Sequence, residues 1–163
     1  MNDNQRLYLD QAKSDYEIFR FLGGRAPCHR LHYLQMCTEK LGKAYFYKRP
    51  PLSKPSHVGF VKFLRNLSTE RNVWKALGFG RREDFELYIN QIQHLARKIE
   101  KLAPDLAGDG PNPEYPWPPP PKEAKMAPIH YEFELWNELQ KTRKGLKFQD
   151  FVERVLSIFS DWF

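Results

Sequence analysis

Apolar residues recur at helical spacing along most of this chain, and this pattern constrains the fold more than any other feature. The clearest stripe has steps of three and four residues and consists of Phe85, Tyr88, Ile92, Leu95, Ile99 and Leu102. Further stripes predict helices over 5–22, 27–48, 58–64, 70–77 and 146–162. Because each stripe must be buried against another, we expect an all-α antiparallel bundle of four to five helices, with a proline-rich loop and an added C-terminal helix.

Glycine and proline residues separate these predicted helices. Gly23-Gly24 follows the first stripe, Pro50-Pro51 the second, and Pro104 the stripe that begins at Asp84. Ser53-Lys54-Pro55 is typical of a helix cap followed by a proline in the first turn. The 163 residues fit a single domain. We predict a bundle core over 5–103, a proline-rich loop over 104–130 and a C-terminal addition over 131–163, where 131–136 is a short strand or the start of a helix.

Composition narrows the class of protein. Hydrophobic residues make up 41% of the chain and aromatic residues 15%, which suits a packed core and argues against disorder. There is no apolar run of about 18 residues, so we predict no membrane span. Cys28 and Cys37 are nine positions apart, or about 13 Å on a single helix, which is too far for a disulfide bond. Reduced thiols of this kind point to the cytoplasm.

The positive charge is concentrated in the first two thirds of the chain. The net charge is +6, with +5 over 1–55, +4 over 56–103 and −3 over 104–163. Such a distribution attracts polyanions, but it is also common in proteins that bind no nucleic acid. The basic side chains that we single out as candidate phosphate contacts are Lys43, Lys48, Arg65, Arg81 and Arg82. The alternative is that they form solvated helix faces.

The second predicted helix carries a recognisable run of residues. The segment from His32 to Tyr45 contains Glu39-Lys40 followed by Lys43-Ala44, and this order resembles the second-helix signature of the HEPN superfamily. The resemblance covers roughly 5–101. It implies a helical bundle that often pairs as a homodimer and needs no cofactor. Some HEPN proteins are metal-independent ribonucleases, whereas others are binding modules that bind a nucleotide, RNA or a partner enzyme such as a nucleotidyltransferase.

The ribonuclease members carry an arginine followed by four to six residues and a histidine. Arg25 and His32 have that spacing, and a histidine beside an arginine could move a proton and stabilise a phosphoryl oxygen. However, the family motif lies on a later helix of the bundle, whereas this pair spans the start of the second one. The resemblance therefore favours a non-catalytic binding module, with a toxin-like ribonuclease using Arg25 and His32 as the alternative.

Two further features complete the candidates. Cys28, His29 and His32 are metal-ligand types, but a structural zinc site needs a fourth ligand that the sequence does not offer, so we predict no metal. The run from Pro111 to Pro128 contains Tyr115 and Trp117, which would either contact a partner protein or pack the loop onto the bundle. A structural protein that docks a partner through this loop is a third reading of the chain. We predict no recognition of DNA sequence.

Overall fold

A computed structural model describes residues 1–47, 59–118 and 125–162. Over these ranges the protein is all-α, with eight α-helices and no named strand. In chain order the helices are α1 (Asp3–Phe21), α2 (Pro27–Phe46), α3 (Phe60–Leu67), α4 (Arg71–Ala76), α5 (Arg82–Glu100), α6 (Pro104–Ala107), α7 (Glu134–Lys141) and α8 (Arg143–Ile158). Short 3₁₀ turns lie at Pro128–His130 and Phe159–Trp162.

Helices α1 and α2 form an antiparallel hairpin. Asn2 caps α1 by accepting a hydrogen bond from the Gln5 backbone N–H, and Gly24 permits the reversal with a φ of 78°. At the end of the hairpin that lies away from Gly24, the Asn2 side chain donates to the Tyr47 carbonyl at 2.8 Å, and the Gln5 side-chain amide donates to the Ala44 carbonyl at 3.2 Å. The start of α1 is thus joined to the end of α2, which fixes their relative direction.

Helix α3 packs closely between α2 and α5. A Cβ atom on Gly42 would lie 3.0 Å from the Gly59 carbonyl carbon, so only glycine lets the chain approach α2 this closely. The buried Glu100 carboxylate accepts a hydrogen bond from the Val61 backbone N–H at 2.7 Å. It thereby provides a partner for one of the N–H groups in the first turn of α3 that have none within the helix. The predicted cap at Ser53-Lys54-Pro55 lies outside the described residues.

The C-terminal segment supplies a large part of the core. Helix α8 packs against α1, α5 and α7, and Phe148 and Phe151 are fully or almost fully buried. The rings of Phe148 and Phe60 meet edge to face at 6.0 Å, which links α8 to α3. The buried apolar residues of α8 belong to the same cluster as those of α1, α2, α3 and α5.

The described part of the proline-rich loop is held on the bundle by Trp117. Its backbone pairs with Met126 in an antiparallel bridge, and its ring packs edge to face on Tyr131 at 5.1 Å. Only 3% of Trp117 is exposed, whereas 59% of Tyr115 is exposed. The prediction that the aromatic residues pack this loop onto the bundle is therefore confirmed for Trp117 and wrong for Tyr115.

Candidate nucleic-acid interface

Helices α3 and α4 present four exposed basic side chains, which we call the basic surface: Lys62, Arg65, Arg71 and Lys75. The apolar residues of these helices, such as Phe63 and Val73, are buried. Because a helix repeats every 3.6 residues, burial of one side places the intervening basic residues on the opposite side. Each of the two successive helices therefore directs its two cations to solvent.

Aromatic rings lie beneath two of these cations. The Lys62 ammonium is 5.3 Å from the centre of the Phe46 ring, and the Lys75 ammonium is 6.0 Å from the centre of the Trp74 ring. Each aliphatic stem can rest on apolar surface while the charged end stays in water. This arrangement holds positive charge at the surface without a carboxylate partner.

The basic surface is poor in acidic residues. Glu70 is the single acidic residue over 59–82, and its carboxylate accepts a hydrogen bond from the Tyr45 hydroxyl at 3.2 Å. Within the described part of the chain, none of the four basic side chains forms an ion pair. Arg65 does act electrostatically on the Glu100 carboxylate, whereas the charges of the other three are available to an anionic ligand, which phosphate recognition requires.

A polar groove of about 230 Å³ lies beside the basic surface, between α3 and α5. Its lining residues are Arg65, Ser68, Glu86, Ile89, Asn90 and Gln93. Arg65 belongs both to this groove and to the basic surface. A nucleic acid whose successive phosphates contact the basic surface would therefore lie next to the opening of the groove.

Arg81 and Arg82, which the sequence predicts as phosphate contacts, are instead engaged by carboxylates of α5. Arg81 donates two hydrogen bonds to Asp84, at 2.8 and 3.0 Å, and Arg82 donates one to Glu86 at 2.8 Å. The hydrogen bond from Arg81 is the main cause that lowers the pKa of Asp84, so this pair stays ionised. Both arginines are exposed, but their charges are locally compensated.

Lys43, another predicted contact, lies at the interface between α1 and α2. Its ammonium is 2.5 Å from a Glu39 carboxylate oxygen and 5.9 Å from the centre of the Tyr8 ring, and 18% of its side chain is exposed. Lys43 is therefore largely committed to contacts within the bundle. Lys48 lies outside the described residues.

The residues that carry the HEPN resemblance have a structural role here. Lys40 pairs with the buried Asp15 of α1 at 2.6 Å, and Glu39 accepts a hydrogen bond from Gln35 at 2.9 Å as well as pairing with Lys43. Because buried charges are tolerated only when they are paired, these residues hold α2 against α1. Their presence accounts for packing and does not by itself indicate a binding site.

Arg25 and His32 sit in different surroundings. Arg25 is exposed in the turn that follows Gly24, whereas His32 is half-buried in α2 beside the loop residue Glu114. The His32 Nδ1 atom is 3.1 Å from a Glu114 oxygen, but the two groups are not aligned as a hydrogen bond, and this buried nitrogen has no hydrogen-bond partner among the described residues. No described contact joins Arg25 to His32, and the ribonuclease centre remains a prediction.

The candidate metal ligands Cys28 and His29 also differ in their exposure to solvent. Cys28 is 2% exposed and belongs to the core, whereas His29 is exposed on the opposite side of the helix start. Cys28 and Cys37 are both free and buried. In the described ranges, no three His, Cys, Asp or Glu side chains are grouped as metal ligands.

The structure also reveals a charged cluster that sequence reasoning did not single out. His94 and Lys98 of α5 both contact Glu138 of α7, at 2.7 and 2.6 Å. Partial burial raises the pKa of Glu138, but the hydrogen bonds from Lys98 and His94 outweigh it and leave the pKa below its ordinary value. The four-residue spacing of His94 and Lys98 signals a shared helix face, but the sequence cannot show that Glu138 faces it.

The buried position of Trp117 argues against the candidate function in which the proline-rich loop docks a partner protein. Because this ring is enclosed by Tyr131 and Phe133, it offers no surface to a partner, and docking through Trp117 loses its main support. Tyr115 is the large exposed aromatic residue of this loop.

Comparison of the chain with protein-family models, with curated proteins and with solved structures finds no match. None of the described helices has both the length and the apolar composition that crossing a bilayer requires.

Proposed function

We propose that this protein is a non-catalytic, HEPN-like binding module that binds single-stranded RNA through the basic surface of α3 and α4. The observation that carries the proposal is the set of four exposed cations on two successive short helices, none of which forms an ion pair with a described residue. Phosphate groups bind to such surfaces through counterion release, which needs exposed charge and no particular sequence.

The shape of the basic surface favours a single strand over a duplex. Helices α3 and α4 have eight and six residues, so neither offers a long recognition helix for a major groove. Proteins that bind single strands combine a charged path for the backbone with a site for bases. The groove at Arg65 lies beside this path and could hold such a base.

We also propose that the protein forms a homodimer, as the resemblance to HEPN proteins implies. Native mass spectrometry at low salt would detect the dimer. The free, buried thiols of Cys28 and Cys37 support a reducing compartment such as the cytoplasm.

The test of the proposal is equilibrium binding of a fluorescent single-stranded RNA, measured by anisotropy with two matched double variants. Arg71→Ala with Lys75→Ala removes two charges of the basic surface, whereas Arg143→Ala with Lys144→Ala removes two exposed charges at the start of α8, outside that surface. With a salt exponent of roughly 0.7 per phosphate, the first variant lowers affinity about 10- to 25-fold at about 0.1 M salt. The second changes affinity by less than about threefold, since its two cations are not part of the proposed phosphate path.

Two outcomes would contradict the proposal. One is a wild-type protein that does not bind RNA at low salt. The other is an equal loss of affinity in the two double variants, because that result would show that net charge alone, and not the basic surface, governs binding. An RNA-cleaving activity that is lost in His32→Ala would instead support the ribonuclease alternative.

A further inference from the structure

The groove between α3 and α5 has a lining that differs from that of a phosphate site. Asn90 and Gln93 are three positions apart on α5, and they line the groove together with Arg65 of α3 and Ser68, the residue that follows α3. Ile89, which is 4% exposed, supplies an apolar wall. The groove therefore combines amide, hydroxyl and guanidinium groups with an apolar surface.

The free hydrogen-bonding groups of the groove include both donors and acceptors. Gln93 accepts from Arg97 at 3.2 Å, which leaves its NH₂ group as a donor. Ser68 donates to the Arg65 carbonyl at 2.9 Å, which leaves its oxygen as an acceptor. The Asn90 side chain makes no hydrogen bond to any described residue, so both its donor and its acceptor are free.

The one carboxylate in the groove argues against a phosphate as occupant. Glu86 lines the groove together with Arg65, and although Arg82 donates to its carboxylate at 2.8 Å, the carboxylate oxygens would repel a phosphate bound there. A phosphate group only accepts hydrogen bonds, so it would use the donors of the groove and leave its acceptors without a partner. A nucleobase edge offers donors and acceptors side by side, and asparagine and glutamine pair with such edges in two-point contacts.

The size of the groove limits the occupant further. At about 230 Å³ it is smaller than the roughly 300 Å³ at which sites for drug-sized ligands begin. A single ring system fits this volume better than a complete nucleotide does.

We propose that the groove lined by Arg65, Ser68, Asn90 and Gln93 binds one unpaired nucleobase of an RNA strand whose phosphates lie on the basic surface. This inference rests on the proposed function and adds a base-binding site to it. Arg65 stands where the backbone path and the base site meet, so it contacts the nucleotide that turns its base into the groove.

The experiment compares an oligoadenylate of about 12 nucleotides with an inorganic polyphosphate of similar charge, both titrated against the intact protein. The variant is Asn90→Ala with Gln93→Ala, and Gln140→Ala, an exposed glutamine of α7, is the control. Both groove positions lie on a helix surface where alanine favours helix, and thermal unfolding verifies that the fold is retained.

We expect the double variant to bind oligoadenylate about tenfold more weakly than the wild type, and to bind polyphosphate as the wild type does. Gln140→Ala should bind both probes normally. Unchanged oligoadenylate affinity in the double variant, or equal loss for the two probes, would overturn the base site while leaving the basic surface intact. If neither probe binds the wild type, the proposed function itself fails.

Discussion

Gly145 is the position at which the structure makes its sharpest prediction about stability. A Cβ atom there would lie within 2.5 Å of three backbone atoms of Glu138 and Leu139, at the end of α7. An unstrained contact needs about 3.5 Å, so α7 and α8 would have to separate by about 1 Å. The three atoms belong to the backbone and cannot rotate away as a side chain could. The Thr142 hydroxyl also ties the two helices, because it donates to the Glu138 carbonyl at 2.7 Å and accepts from the Gly145 N–H at 3.0 Å.

The size of the effect of Gly145→Ala follows from two opposing contributions. Overpacking costs roughly 1–3 kcal/mol, and three backbone clashes put this site near the upper value. Alanine in place of glycine returns about 1 kcal/mol through its higher helix propensity. We expect a net loss of about 2 kcal/mol, and a Tm lowered by roughly 4–8 °C for a domain of this size.

The assay is urea denaturation followed by circular dichroism, with Gly80→Ala as the matched control. A Cβ on Gly80 meets nothing within 4 Å, and its φ is not positive, so that variant should lie within about 0.5 kcal/mol of the wild type. A Gly145→Ala protein as stable as the wild type would refute the close approach of α7 and α8.

Two further predictions concern buried charges. Asp15 is 4% exposed, and Lys40→Met leaves its carboxylate without a cation. This change should lower the free energy of unfolding by about 3 kcal/mol. Arg20→Met, which breaks the exposed pair with Glu153, should lower it by less than about 1 kcal/mol. Equal losses in the two denaturation curves would show that the Asp15 site is solvated. Burial raises the pKa of Glu100 despite hydrogen bonds from the backbone of α3. Just above pH 4.5 the folded state therefore binds more protons than the unfolded state. The stability that this group contributes falls as pH rises through its folded pKa. Glu100→Gln keeps an acceptor for the Val61 N–H and should remove this decline, and a Tm-against-pH profile identical to that of the wild type would argue against it.

The sequence was sufficient to predict α1 to α5 and α8 because their apolar stripes are regular, whereas the four-residue α6 lies in the predicted proline-rich loop. The stripe from Phe85 covers α5 and runs two residues past its end at Glu100, and the glycine pair after the first stripe follows the end of α1. Helix α8 begins at Arg143, earlier than its stripe indicates, because Thr142 caps it. The segment over 131–136, read as a strand or a helix start, leads into α7 at Glu134.

The candidate site was harder to predict because charge compensation depends on tertiary contacts. Arg81 and Arg65 look alike in the sequence, but one has a carboxylate partner and the other opens onto a groove. Helical periodicity over 60–76 predicts that Lys62, Arg71 and Lys75 are exposed, but it does not show that they lack carboxylate partners.

The salt dependence of RNA binding tests the central claim most directly. If four cations of the basic surface contact phosphates, a plot of the logarithm of the association constant against the logarithm of salt concentration should have a slope of about −3, from roughly 0.7 per contact. Removing Arg71 and Lys75 should make the slope shallower by about 1.4. A slope near zero, or one that this double variant leaves unchanged, would contradict the assignment of RNA binding to α3 and α4.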